Sequence, residues 1–276
     1  MNAKPIVKWA GGKRQLIDKL IKHIPNNYNR YFEPFVGGGA LLFELLPNYA
    51  VINDINKELL TIYRCLANKK YFKSMIEELN FHEGHHSEEY YYQVREEDRK
   101  PDFLITPIWQ RAARVIYLNK SCFNGLYRVN SKGYFNVPSG KKSKVNTYDF
   151  DNISKLHRYF ITADVTILEG DFTDAVENAA KGDFVYFDPP YDSFDDKDSF
   201  TAYSKHDFTK QDQIRLYNTY KKLSDKGIHV MLSNHNTQFI NELYKDYNIQ
   251  IVKAKRMINS DSKGRGNVEE TIITNY

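Results

Sequence analysis

A chain of 276 residues, 41% hydrophobic and 27% charged, can bury a substantial core as one large domain or two modest ones. Cys65 and Cys122 are its only cysteines and lack metal-ligand spacing, which excludes a disulfide scaffold and fits a reducing compartment. A formal net charge of +4 permits a nucleic-acid partner without requiring one, and no signal peptide or membrane-spanning apolar run stands out, so the expected location is cytoplasmic.

In chain order, the first motif is Lys8-Trp9-Ala10-Gly11-Gly12-Lys13-Arg14. A phosphate-cradling loop needs Ser or Thr after the lysine, and Arg14 stands there instead, which argues against ATP hydrolysis. Trp9 can stack on a ligand ring and Lys13 can pair with a ligand carboxylate. Next, an apolar strand through Phe32 to Val36 runs into Gly37-Gly38-Gly39 and a helix from Ala40. Glycines admit a ligand close to the backbone and expose helix N-terminal N–H groups, so Phe35, Gly37 and Gly39 are candidate cofactor contacts. The strand Ala50-Val51-Ile52 ends in Asn53-Asp54, where an acid can accept from both hydroxyls of a ribose. These features predict an adenosine-type cofactor.

Strand-helix alternation from Tyr31 to about Ala67 is then interrupted over residues 68–159, a Tyr-rich stretch that is helical in pattern before a hairpin. Within it, His82-Glu83-Gly84-His85-His86 has an incomplete metal pattern and reads as a solvated loop before a cap at Ser87; no metal is expected. Tyr127 to Asn136 reads as a β-hairpin turning at Asn130-Ser131-Lys132-Gly133. Seven Lys/Arg against two Asp between Arg128 and Arg158 concentrate positive charge beside it.

Alternation resumes with a strand Val165 to Leu168 and a helix after Asp171. The apolar run Phe184 to Phe187 leads into Asp188-Pro189-Pro190-Tyr191. Two prolines remove two N–H donors, so this loop offers carbonyl acceptors, a carboxylate and an aromatic ring, a set suited to a planar amine such as an extruded nucleobase. The acids Asp192, Asp195, Asp196 and Asp198 suggest a lid tip facing away from any phosphate. A helix Thr209 to Ser224, a strand Ile228 to Leu232 and a helix Gln238 to Tyr244 follow. Ile249 to Lys253 and Thr271 to Thr274 could then pair as an antiparallel edge around a Gly/Ser-rich loop. The pattern predicts an α/β, doubly wound sheet with Gly37, Asp54, Asp171 and Asp188 at the carboxyl ends of strands, where ligands bind.

Lys8 to Lys13, Phe32 to Gly39, Asp54, Gly170-Asp171-Phe172 and Asp188 to Tyr191 together resemble the Dam family (class alpha) of DNA N6-adenine methyltransferases, over nearly the whole chain. Phe123 to Arg128 and Phe135 to Pro138 are similar to that family's DNA-reading hairpin. The resemblance implies a Rossmann-like catalytic domain (1–67 and 160–276) with an inserted, mainly helical target-recognition domain (68–159). It implies S-adenosylmethionine as methyl donor, S-adenosylhomocysteine as product, and adenine in GATC of double-stranded DNA as target, with no obligate protein partner. Asp188 and the Pro189 carbonyl would accept from the adenine amine beside Pro190, and Tyr191 would stack on the base. Trp9, Lys13, Phe35, Gly37, Gly39, Asp54, Asp171, Phe172 and Asp188 would line the cofactor site. Phe123 would wedge into the base stack and Asn124 would fill the gap. Leu126, Arg128 and Pro138 would meet base edges, Arg128 being suited to a bidentate contact with guanine. Ser139 and Lys141-Lys142 depart from the aromatic and Arg residues common there in the family. Lysine lacks arginine's planar fork, and both lysines fit phosphate anchoring better than base reading. Two alternatives stay open: methylation of another planar amine on an RNA base or protein amide, and an inert DNA-binding relative. An oxidoreductase is disfavoured because three consecutive glycines are not the spaced dinucleotide fingerprint.

Overall fold

Short runs of aliphatic and aromatic residues, buried on both sides, form the central strands, as parallel sheets covered on both faces require. The computed structural model describes residues 3–9, 16–193, 208–255 and 267–276. Among these, β1 (Tyr31–Glu33), β2 (Tyr49–Asp54), β3 (Asp164–Glu169), β4 (Phe184–Phe187) and β5 (His229–His235) run parallel. β7 (Asn267–Thr274) adds antiparallel to β5, and β6 (Asn248–Lys255) antiparallel to β7. The described strands make one seven-stranded sheet in the order β3-β2-β1-β4-β5-β7-β6. The expected antiparallel edge is present, and the Gly/Ser-rich loop expected between its strands lies mostly outside the described residues.

Side chains alternate across the sheet and so divide neighbouring residues between two cores. Tyr31, Ile52, Phe184, Tyr186 and Met231 face one layer, packed with α3 (Lys57–Leu66), α4 (Lys69–Gly84), α6 (Ile108–Ser121) and α7 (Phe150–Thr162). Phe32, Val185, Phe187, Val230 and Leu232 face the other, with α8 (Phe172–Ala175), α9 (Lys210–Asp225) and α10 (Gln238–Leu243). The two short N-terminal helices are α1 (Ile17–Leu20) and α2 (Ala40–Leu45). Side-chain caps set several helix starts: Asn56 for α3, Asn68 for α4, and Thr209 with Asp212 in a reciprocal box for α9.

β1 lies at the centre, with β2 on one side and β4 on the other. The chain runs from β1 outward through β2 to β3 and then crosses back to β4 on the other side of β1, so the strand order reverses there, the place where such sheets open a crevice at their carboxyl ends. The stretch 68–159 contributes α4, α5 (Glu88–Glu96), α6 and the hairpin, and α7 crosses its end to pack Ile153, Leu156, Tyr159 and Phe160 into the sheet core.

Two expectations need correction. His82, Glu83 and Gly84 belong to α4 rather than to a solvated loop. His82 is buried, its ring stacked on Tyr117 with centroids 4.8 Å apart and its Nδ1 2.7 Å from the Tyr90 hydroxyl. Burial, then Arg114 and His85, push its pKa down to about 4, so the ring is neutral at physiological pH. His86 lies 2.7 Å from the Tyr117 hydroxyl and 3.0 Å from the Lys142 carbonyl, so the cluster ties α4 to the end of the hairpin region. The expected cap stands: Ser87 accepts from the Tyr90 N–H and starts α5. The second correction concerns Asp192, which is buried rather than on an outward tip; Asp195, Asp196 and Asp198 lie outside the described residues.

Candidate active site

The chain leaves β4 directly into Asp188, and everything around the next four residues holds them still. The Ser233 hydroxyl donates to Asp188 Oδ1 at 3.0 Å and lies 2.8 Å from the Tyr186 hydroxyl. Gln213 of α9 donates to the Pro190 carbonyl at 3.0 Å, and its own amide oxygen accepts from Asn234 at 3.1 Å. Asn234 in turn accepts the Asp192 N–H at 2.9 Å. His235 Nδ1 meets the Asp192 carbonyl at 2.6 Å, and the Thr237 hydroxyl donates to its carboxylate at 2.6 Å. Because the prolines remove N–H groups, these side chains from α9 and the β5 end do the fixing. Tyr191 turns its ring edge toward His235, with centroids 4.8 Å apart and planes at 75°, and its hydroxyl donates to Glu270 of β7 at 3.0 Å. Burial, then Asp188 and Glu270, hold the Tyr191 phenol well above its usual range, so it remains a donor.

Across the crevice, Gly37 and Gly39 turn with φ of +48° and +72°, conformations that favour glycine. A Cβ on Gly37 would stand 3.0 Å from the Trp9 ring, and one on Gly39 2.9 Å from the Tyr63 hydroxyl. Asp54 braces this turn: Oδ2 accepts the Gly37 N–H at 3.0 Å and Oδ1 the Asn56 N–H at 2.8 Å. Burial pushes the Asp54 carboxyl up to about 6, although N–H groups of Asn56, Gly37 and Ile55 favour its charged form. Tyr63 donates to the Gly37 carbonyl at 2.7 Å. Beneath the crevice, Glu33 is buried and accepts from Tyr31 at 2.9 Å. Burial raises Glu33 well above the usual carboxylate range, with Asp188 and Asp54 adding to the effect.

Phe35 stacks on Phe172 with centroids 5.2 Å apart. Asp171 caps α8: Oδ1 accepts from Thr173 and Oδ2 from Arg215 at 2.7 Å. Burial opposes its charge, but Thr173 and Arg215 outweigh it and leave Asp171 below the usual range. Lys13 lies outside the described residues. Cys65 and Cys122 are buried, which pushes their thiols up to about 12 and about 11 and leaves them poor nucleophiles.

The hairpin is held together by isolated bridges, Val129 to Phe135 and Cys122 to Ser139, rather than by full strands. Its turn is the expected one: the Gly133 N–H donates to the Asn130 carbonyl at 2.8 Å, and Asn130 Oδ1 accepts from Lys132 and Tyr134. Its base is anchored at Asp98, which accepts the Phe135 N–H at 2.8 Å and pairs with the buried Arg114 at 3.0 Å. Phe123 is 52% exposed, unusual for so large an apolar side chain, and Asn124 beside it has φ of +55°. Leu126 is half-buried; Arg128 and Pro138 are exposed. Arg128 Nε donates to Asn136 at 2.7 Å. Ser139 is buried and accepts the Lys141 N–H at 3.0 Å, while the Lys142 ammonium donates to the Lys120 carbonyl at the end of α6. Asn119 bridges the regions, pairing with both backbone groups of Lys8 at 2.8 Å and donating to the Gly125 carbonyl at 3.0 Å. Trp9 packs against Tyr127, the ring centroids 4.6 Å apart and the planes tilted by 32°.

Sequence reasoning missed Gln213, Ser233, Asn234, Glu270 and Asn119. The first signal for them was available: Ser233-Asn234-His235 ends an apolar strand in polar residues, as Asn53-Asp54 does.

Residues 9–258 match the model of the D12 class N6 adenine-specific DNA methyltransferases. The chain is 44% identical over 276 residues to the Type II methyltransferase M1.LlaDCHI of Lactococcus lactis subsp. cremoris, covering all of this chain and 96% of that one. It is 40% identical over 292 residues to the Type II methyltransferase M.MjaIII of Methanocaldococcus jannaschii, covering both fully. With the DNA adenine methylase of Escherichia coli (strain K12) it shares 31% identity over 276 residues, covering 98% of this chain and 94% of that one. A strand-end carboxylate in an aromatic, donor-poor loop, facing a glycine turn across one α/β crevice, thus belongs to a chain that is a member of the D12 class of N6 adenine-specific DNA methyltransferases.

Proposed function

We propose that this protein transfers a methyl group from S-adenosylmethionine to N6 of an adenine in GATC, swung out of double-stranded DNA, leaving S-adenosylhomocysteine and needing no obligate protein partner. What carries this assignment is the pair of strand-end loops beside β1: the glycine turn braced by Asp54 on one side, and the Asp188 loop on the other. It would work in the cytoplasm, beside the nucleoid DNA.

The residues suit the cofactor. Glycine at 37 preserves a cradle against the Trp9 ring that a side chain would fill. Asp54, braced by the Gly37 and Asn56 N–H groups, presents its carboxylate at the strand end to the ribose hydroxyls. The Phe35 and Phe172 rings offer a flat wall for adenine, whose amino group would share Asp171 with Arg215. Lys13 would pair with the carboxylate. When bound, S-adenosylmethionine supplies an electrophilic methyl group on a sulfonium.

The chain's own groups prepare the nucleophile. The N6 lone pair is delocalised into the adenine ring, so both amino hydrogens must be held in acceptor bonds that favour a tetrahedral nitrogen. Asp188, fixed by Ser233, accepts one. Gln213 occupies the Pro190 carbonyl, and the Pro189 carbonyl accepts the other. Tyr191 stacks on the base and sets the direction of N6.

Residues 68–159, closed back onto the sheet by α7, form the target-recognition region. Exposed Phe123 wedges into the stack, and Asn124 takes the vacated space. Leu126, Arg128 and Pro138 meet base edges. Lys141 and Lys142 anchor phosphates, Lys142 with the N–H groups not used at Lys120. Base extrusion gives the test. With 2-aminopurine at the target adenine of a GATC duplex, binding should raise fluorescence as unstacking relieves quenching, and Phe123→Ala should diminish the rise. An unchanged signal on saturating binding by the parent protein would contradict extrusion.

A further inference from the structure

The wedge and the acceptor loop leave one requirement unmet: a stacked base points its amine usefully only if the ring beneath it cannot swing. Tyr191 follows two prolines at the mouth of the crevice, beyond the end of β4. Its ring meets His235 edge-on at 4.8 Å, and its hydroxyl donates to Glu270 at 3.0 Å. His235 and Glu270 are directly opposite each other on β5 and β7. One side chain from each strand therefore grips the tyrosine, one at the ring and one at the hydroxyl.

The backbone under this grip is also fixed. The Glu269 carbonyl accepts the Asn236 N–H at 3.0 Å, and the Glu269 carboxylate accepts from the Asn236 side chain at 2.8 Å. The Asn236 amide oxygen accepts from Asn241 of α10 at 2.7 Å. Glu270 thus stands on a braced part of the antiparallel edge, while Ser233, in the interior of the same sheet, donates to Asp188 and also lies against the Tyr191 phenol. A carboxylate accepting from a phenol makes a directional bond. It fixes the phenol axis, and ring rotation about that axis is opposed by His235.

Resting on the assignment of Tyr191 as the base platform, we propose that Glu270 is a positioning residue for methyl transfer, which locks the Tyr191 ring across the β5–β7 seam so that the target amine meets Asp188 in one orientation. It touches neither the base nor the cofactor. Its effect is therefore on the fraction of bound, extruded adenine that is correctly aimed, and so on kcat rather than on cofactor or DNA affinity.

A double-mutant cycle separates this from a merely structural role. Glu270→Ala and Tyr191→Phe should each lower kcat about tenfold, the worth of one charge-assisted hydrogen bond, with the KM for S-adenosylmethionine within about twofold of the parent. Combined, they should lose no more than either alone, because both remove the same bond. Glu270→Gln, which keeps an oxygen acceptor, should recover most of the loss even if Glu270→Ala proves too unstable to assay. Full losses that multiply in the double variant, or a Glu270→Ala kcat equal to the parent's, would overturn the inference. Tyr191→Ala serves as the control: strong impairment there with an indifferent Glu270→Ala removes only the role of Glu270. Parent-like kcat in Tyr191→Ala would remove the platform itself, and the inference with it.

Discussion

Asp54 carries two opposed demands. It is half-buried, which raises its carboxyl from 3.8 to about 6, yet the proposed ribose contact needs it as an acceptor. Folding favours the protonated form, so its contribution to stability is full below pH 3.8 and is lost as pH rises through about 6. Cofactor binding runs the other way, since the ionised form accepts from both hydroxyls. Affinity for S-adenosylmethionine should therefore weaken by about tenfold for each pH unit below 6, a dependence that calorimetry should find flattened in Asp54→Asn. An equally steep profile in that variant would assign the titration elsewhere. In the proposed reaction Asp188 accepts from the target amine. Asp188→Ala should abolish methylation while DNA affinity, which resides mainly in phosphate contacts, stays close to the parent's in a filter-binding titration. Substantial residual turnover would remove Asp188 from the chemistry.

At the level of elements, the hairpin is tied to the helices through Asp98, which also pairs with Arg99, and through Tyr91, which donates to the Val137 carbonyl. Asp98 accepts from the Phe135 backbone and from Arg114, whose guanidinium also donates to the Val94 and Arg95 carbonyls. Removing the carboxylate leaves a buried cation short of a partner and an unsatisfied N–H. Asp98→Ala should destabilise the protein by about 3 kcal/mol in urea unfolding, and Asp98→Asn by less, because it retains an acceptor. Equal stability of Asp98→Ala and the parent would show that the hairpin is held without Asp98, by its apolar contacts and the Tyr91 and Arg99 hydrogen bonds to the Val137 and Phe135 carbonyls. In the proposed DNA contact, Arg128 reads a base and the lysines hold phosphates. Arg128→Ala should lose about 1–3 kcal/mol of discrimination at one base pair, whereas Lys141→Ala should weaken binding to all sequences and lower the salt slope by about one. Competition binding at two salt concentrations checks both, and relaxed specificity from the lysine variant alone would move base reading to the Ser139–Lys142 segment.

Across the whole molecule, what the sequence made legible was what depends on local pattern. β4 and its loop were readable because a buried parallel strand is a short unbroken apolar run and two prolines end it sharply. Asp54 and Asp171 were readable as acids at strand ends. The antiparallel β6–β7 edge followed from its β-branched residues. What stayed hidden depends on pairings far apart in sequence. Gln213 reaches Pro190 from a helix, and Glu270 reaches Tyr191 across 79 positions, with no periodicity to announce either. His82 was misread because a polar, glycine-containing cluster looks solvated, whereas Tyr90 and Tyr117 supply it with buried partners.

The central claim joins a donor, an atom and a sequence, and one measurement addresses all three. Incubate the protein with S-adenosylmethionine labelled in its methyl group and with duplexes that contain GATC or differ from it at a single base pair, then digest the DNA to nucleosides. Label should appear in N6-methyladenine from the GATC duplex, with each altered base pair lowering the initial rate by about tenfold or more. Label in another nucleoside, none at all, or equal rates on the altered duplexes would contradict the account.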